Sequence, residues 1–458
     1  MSRQSTSAFL IGGLLAALLG GMNPSRCQTT ASDASSAAPS APPVVITVDE
    51  AIHRAQSSDA NYAAAVAAGR SAALDRNIAY SNLLPSVVYH NQGLYTQPNG
   101  LKNQAGQGVS SQPAPRFIAN NAVREYASQV SVNETLGLSS VADVRRAQAL
   151  AAQAAAEQEI ACRGLVAAVV SLFYESLAAD HKLAVAERAR QEAADFTQLT
   201  QEREQARESA HADVIKAQLE EQARTRDLED AEVEAEKARL ELGVLLFPDP
   251  RTAYTLSAPD APPPLATRED IDAAAAKNNP DLRSALEALR ASNAGVIAAW
   301  ASYLPDIALN YTYGIDAPQF ALNGPDNVRN LGYSAMVTVD IPVWDWFNTQ
   351  RRVKQSQIAR QATQVALSAT QRQLIARLDE AYSEAATSRD ELASLDLSVS
   401  TAAESLRLTK MAYTGGEGTV LEVVDAQNAY ITAQNAREDG RVRYEAARVR
   451  LETLTGTM

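Results

Sequence analysis

The stretch Tyr413–Gln427, YTGGEGTVLEVVDAQ, sets Gly415, Gly416 and Gly418 in a run otherwise free of helix breakers. No other glycine lies between Phe347 and Asp439, and no proline follows Pro342. Small and apolar residues flank the glycines at heptad spacing: Leu374, Leu378, Ala381, Ala385, Ser388, Leu392 and on to Leu406 before them, Val423, Ala426, Tyr430 and Ala433 after them. Arg437 and Gly440 interrupt the second run before Tyr444, Ala447, Leu451 and Leu454 resume it. Sustained 4-3 spacing is the mark of a coiled coil. The glycines therefore read as the turn of an antiparallel helical hairpin, ending one helix in a left-handed conformation. Thr419 and Glu422 then form a capping box that starts the next. A phosphate loop would need GxxxxGK[ST] after a strand, and neither the lysine nor the strand is present.

A second break-free run, Ser139 to Leu242, lies in the first half and contains only Gly164. ESAHADVIKAQ aligns there with EGTVLEVVDAQ at an offset of 209 (Ala217-Gln218 with Ala426-Gln427). The glycines are missing, so this turn is expected to be tighter or more helical than its twin. Upstream, the forty residues from Thr47 align without a gap with those from Thr267, ending in Leu84-Pro85 and Leu304-Pro305. Proline pushes the preceding residue out of the α region and stops each helix there.

After each Leu-Pro the period changes to two. Ile307, Leu309, Tyr311 and Tyr313 alternate with Ala308, Asn310 and Thr312, and a looser alternation includes Val87, Tyr89 and Tyr95. A second strand follows in each half, with Val130 and Val132 opposed to Ser131 and Asn133, and Val337 and Val339 opposed to Thr338 and Asp340. Strands apolar on one face and polar on the other suit a membrane barrel, or a small soluble sheet with one buried face. The first hairpin loop is longer by thirteen residues (220 less 207, the offsets before and after it) and is polar and turn-rich. Trp300, Trp344 and Trp346 all fall at strand–helix junctions, as an interfacial girdle or as packing where helix meets sheet.

The 458 residues carry a net charge of −13, which argues against nucleic acid as a partner. Arg3, an apolar run from Ala8 to Met22, and Ser25 and Cys27 read as a signal peptide over 1–27 cut before Gln28, with lipidation of Cys27 as the rival. No later stretch is expected to cross a membrane as a helix. Residues 28–46 form an Ala/Ser/Pro-rich leader. The first repeat covers 47–257 (strands about 86–96 and 126–136, hairpin about 139–246), a linker 258–266, and the second repeat 267–458 (strands about 305–315 and 332–343, hairpin about 348–455). His53, His90, His181 and His211 are scattered, and neither GxSxG nor a P-loop occurs, so no enzyme, cofactor or metal site is expected.

Short helices, strand, strand, long helical hairpin, repeated twice behind a signal peptide, resembles the TolC-like outer-membrane efflux protein family. YTGGEGTVLEVVDAQNAYITAQ is similar to that family's second hairpin tip and the helix after it. The resemblance implies a mainly α protein with a small membrane β part: a homotrimer whose twelve-stranded β-barrel joins an α-helical coiled-coil tunnel in the periplasm. It implies a passive outer-membrane channel of a tripartite efflux or type I secretion system, working with a periplasmic adaptor and an inner-membrane pump. Gly415, Gly416 and Gly418 match the adaptor-docking tip. Tyr413 and Asp213 match a tyrosine and an acid on neighbouring hairpins that hydrogen-bond and help hold the gate shut, and Glu422 and Asp425 match acidic gate positions. The chain departs from the pattern at Gly418, where an arginine often stands, and at Arg207, where a tip glycine is expected. A soluble periplasmic coiled-coil adaptor or structural rod is the alternative, although an adaptor should have one hairpin and this chain has two.

Overall fold

In each half a threonine opens the pattern. Thr47 Oγ1 accepts the Glu50 amide at 3.3 Å and Thr267 Oγ1 accepts the Asp270 amide at 3.3 Å. These caps start α1 (Val48–Ser58) and α5 (Arg268–Asn278) in a computed structural model that describes residues 44–95, 124–258, 264–324 and 329–456. The signal peptide, the leader up to residue 43 and most of the long polar loop lie outside the described residues. Asp59 and Asn279 then cap α2 (Ala60–Ser81) and α6 (Pro280–Ala301). Both helices stop three residues short of the Leu-Pro pairs.

The strands that follow are β2 (Ser86–Tyr95), β3 (Arg124–Leu136), β5 (Asp306–Ala317) and β6 (Leu331–Asp340). They form one antiparallel sheet in the order β2-β3-β5-β6. Its register aligns the alternation across all four strands. Tyr89, Val130, Tyr313 and Tyr333 form one row, and Val87, Val132, Tyr311 and Ala335 the next, all on one face. The other face carries rows such as Ser86, Asn133, Asn310 and Met336. Asn310 donates to Asn133 there, and Ser131 and Thr312 hydroxyls lie 3.4 Å apart. Neither face is covered: Val87, Tyr333 and Val337 are each more than two-thirds exposed.

Each second strand runs on into a long helix. Helix α3 (Leu138–Gln205) returns as α4 (His211–Leu246), and α7 (Asn348–Thr414) returns as α8 (Val420–Thr455). At 68 residues α3 is about 100 Å long. Helix α7 buries the heptad positions Leu374, Leu378, Ala381, Ala385, Ser388 and Leu406, while Leu392, Leu395, Val399 and Ala402 are half-buried. Gly440 lies in the same seam, where a Cβ would come 2.5 Å from Leu395 Cδ1. The apparent break in the heptad is thus a point where α8 makes room for a side chain of α7.

Three sequence expectations change. Residues 44–46, read as leader, form β1 (Val44–Ile46), paired in parallel with β4 (Tyr254–Leu256). Short apolar strands of this kind gain stability only from what they cover. Here Ile46 and Tyr254 close a core with Phe173, Leu242 and Leu246. Second, α3 does contain a window long and apolar enough to cross a membrane. Its apolarity has another cause, because Val166, Val169, Val170 and Phe173 belong to that core. Third, the first hairpin turn is not tighter than the second. Arg207 and Gly416 both adopt left-handed backbone, φ 62° and 82°, and the turn amides bond at the same offset.

Candidate functional site

The candidate residues gather where the two hairpins end. Tyr413 is in the last turn of α7 and is buried, in a cluster with Phe196 of α3, Ala217 of α4, and Val420 and Val423 of α8. Its ring centroid is 5.2 Å from that of Phe196. Its hydroxyl lies 3.4 Å from Thr200 Oγ1. Thr200 donates its own proton to the Phe196 carbonyl at 2.8 Å, so Tyr413 is the donor.

Within the protomer Tyr413 does not bond to Asp213. Asp213, in the first turn of α4, accepts from Lys216 Nζ at 3.3 Å instead. The tyrosine turns inward because burying its ring among four apolar neighbours outweighs one exposed hydrogen bond.

Glu422 closes the capping box on Thr419. Its Oε2 accepts the Thr419 amide at 2.9 Å, while Thr419 Oγ1 accepts the Glu422 amide at 3.3 Å. The corresponding start of α4 has Ala210 at the cap and no side-chain bond. Asp425, one turn further, is exposed and makes no ion pair among the described residues. Its counterpart in the first hairpin, 209 positions earlier, is Lys216. The second hairpin therefore presents an unneutralised carboxylate where the first presents a closed pair.

Gly415 and Gly416 stand exposed at the tip, with open space around Gly416. Gly418 is confined. A Cβ there would lie 2.8 Å from the Tyr413 amide nitrogen, so an arginine at this position would strain the turn.

Arg203, which the sequence analysis passed over, is the most connected polar residue of the tip. It donates to the Tyr413 carbonyl at 2.6 Å and to the Thr414 carbonyl at 2.9 Å, with its guanidinium carbon 4.8 Å from the Tyr413 ring centroid. The available signal was its place as the basic residue in the last turn of α3, where cations favour the helix end. Among the described residues no group of three or more His, Cys, Asp or Glu is placed to hold a metal ion. The described polar groups of the tip serve as caps, ion pairs and, at Asp425, a carboxylate with no ion-pair partner among the described residues.

Residues 273–457 match the family model described as outer membrane efflux protein. Over 175 residues the chain is 25% identical to Outer membrane protein OprJ of Pseudomonas aeruginosa, a match spanning 38% of this chain and 36% of that protein. A solved membrane protein from Pseudomonas aeruginosa superposes with a TM-score of 0.73 at 19% identity, covering 89% of this chain and 90% of that one. The Campylobacter jejuni CmeC outer membrane channel gives 0.72 at 15% identity, with coverage of 89% and 85%. The family match thus lies in the second repeat, while the shared fold covers 89% of the chain.

Proposed function

We propose that this chain, which has the outer membrane efflux fold and a second repeat matching that family, is one third of a passive duct through the outer membrane. The observation that carries the proposal is the four-stranded sheet. It has one apolar and one polar face, neither covered, and its outer strands β2 and β6 each lack one neighbour. Such edges and faces are costly in water. A barrel satisfies both, with lipid against Tyr89, Val130, Tyr313 and Tyr333 and water against Asn133 and Asn310. One copy has too few strands to enclose a channel, and three copies supply twelve.

The helices support the same closure. Helix α2 buries none of its residues and leaves Leu74 and Ile78 exposed, while α7 leaves Ile358 and Val365 exposed. These are the helices that continue the edge strands, so β2 with α2 of one copy meets β6 with α7 of the next. Trp300, Trp344 and Trp346 are exposed at the strand–helix junctions and mark one membrane interface. The hairpins extend into the periplasm as a tunnel. At its end Asp425 from three copies forms a cation-attracting gate, with Glu422 as the helix cap behind it. Gly415, Gly416 and Gly418 shape the tip on which a periplasmic adaptor docks, linking the duct to an inner-membrane pump that selects small molecules or proteins for export.

The test is the native mass of the protein extracted from isolated outer membranes in mild detergent. Three copies per particle are expected. A monomer released without detergent would overturn the duct and return the strands to a soluble sheet.

A further inference from the structure

We propose that Arg203 is a positioning residue of the gate, fastening the end of α7 to the end of α3 so that the two hairpins of one protomer move as a unit. The inference rests on the duct proposed above. A helix leaves its last carbonyls without intrahelical partners and carries partial negative charge there. Helix α7 has no basic residue in its own last turn. Arg203, from the other hairpin, takes two of these carbonyls, Tyr413 O at 2.6 Å and Thr414 O at 2.9 Å. Its guanidinium also lies against the Tyr413 ring at 4.8 Å. The planar fork of arginine can donate twice and stack at once, whereas a lysine ammonium is a point charge without that geometry.

The surroundings keep the guanidinium in place. Its side chain is 20% exposed, and Glu208 beyond the turn stands 3.7 Å from Nε. Glu204, the neighbouring acid on α3, is engaged by His211 at 2.8 Å. An ion pair also ties α3 to α7 near the tip, Lys410 with Glu192 at 2.7 Å, but its side chains are 40% and 43% exposed against 20% for Arg203, and the pair is correspondingly weak.

The position of Tyr413 also decides where α8 begins. Gly418 is packed against the Tyr413 backbone, and Val420 and Val423 pack in the cluster that holds its ring. Asp425 follows within one turn of Val423. Any outward swing of the second hairpin that widens the Asp425 ring, while the first hairpin stays, must draw Tyr413 and Thr414 away from Arg203.

The experiment uses the purified full-length protein and the variants Arg203→Lys and Arg203→Ala. Arg407→Gln, which removes an exposed pair with Glu404 on α7, is the control. Two readouts are taken: resting single-channel conductance in planar lipid bilayers, and hydrogen–deuterium exchange of peptides spanning 411–420. Wild type and control should give the same low conductance. Both Arg203 variants should raise it several-fold, lysine included, and should speed exchange at the tip roughly ten- to hundredfold, as loss of charge-assisted bonds implies. Faster exchange with unchanged conductance would show a structural tether without a gating role and overturn the proposal. Rescue by lysine would overturn the two-pronged mechanism. If wild type forms no conducting particle at all, the duct itself fails and the gating role falls with it.

Discussion

Arg207 and Gly416 occupy the same left-handed position in two turns 209 residues apart, at φ 62° and 82°. Glycine takes this backbone freely, and an L-residue with a Cβ does so at a cost of about 1–2 kcal/mol. Arg207→Gly should therefore stabilise the first hairpin by up to about 1 kcal/mol, the remainder being offset by the greater freedom of glycine when unfolded. Denaturant titration of the purified protein, followed by local exchange at 203–212, checks this. A loss of stability would mean that the arginine side chain has a tip contact worth more than the strain.

Tyr413 acts through its ring more than its hydroxyl. The ring is buried against Phe196, Val420 and Val423, whereas the hydroxyl reaches Thr200 only at 3.4 Å. Tyr413→Phe should cost less than about 1.5 kcal/mol, a single weak hydrogen bond. Tyr413→Ala should cost about 3–5 kcal/mol by leaving a cavity under Arg203. Equal effects in a denaturation series would contradict the packing described.

Gly314 and Gly332 face each other across β5 and β6 but differ in their surroundings. A Cβ at Gly314 would meet the Ser128 carbonyl oxygen at 2.2 Å and Gln129 Cα at 2.5 Å, whereas nothing lies within 4 Å at Gly332 within the protomer. Gly314→Ala should force β3 from β5 at a cost of about 1–3 kcal/mol, seen as a lower melting temperature of the assembled protein. Gly332→Ala should leave that temperature near wild type.

Asp425 and Glu422 lie one turn apart and should separate by function. Asp425→Asn should reduce cation preference in reversal-potential measurements without changing stability. Glu422→Gln should keep its reach to the Thr419 amide, now as a neutral acceptor, and leave selectivity closer to wild type. A larger selectivity change at Glu422 would reverse the assignment of the gate acid.

Glu438 of α8 and His181 of α3 join the two hairpins farther from the tip, at 2.9 Å. Burial alone would raise the Glu438 carboxyl, but bonds and charge from His181, together with Arg437, outweigh it and hold the group below the usual carboxylate range. A depressed folded-state value means that the stabilisation is present above the unfolded value and is lost as pH falls through the folded one. Stability measured by denaturant should decline from about pH 4.3 downward, and Glu438→Gln should flatten that part of the profile. An unchanged slope in the variant would assign the acid sensitivity to other carboxylates.

The repeated order of elements is written in local sequence signals. Break-free heptads, the Leu-Pro stops and period-two alternation are local signals, each set by the backbone needs of the residues that carry them. They were legible from Leu374 to Leu406 in α7 and from Ile307 to Tyr313 in β5. The capping box at Thr419 was legible for the same reason, since its two partners are three residues apart. Pairings between residues far apart in the chain came only from the packed fold. Ile46 pairs with Leu256 through a strand too short to carry a period, and Gly440 admits Leu395 into a seam that the heptad rule reads as broken. Tyr413 lies against Arg203 and Thr200 rather than Asp213 because the offset between two hairpins depends on how their long seams pack, and no local spacing encodes it.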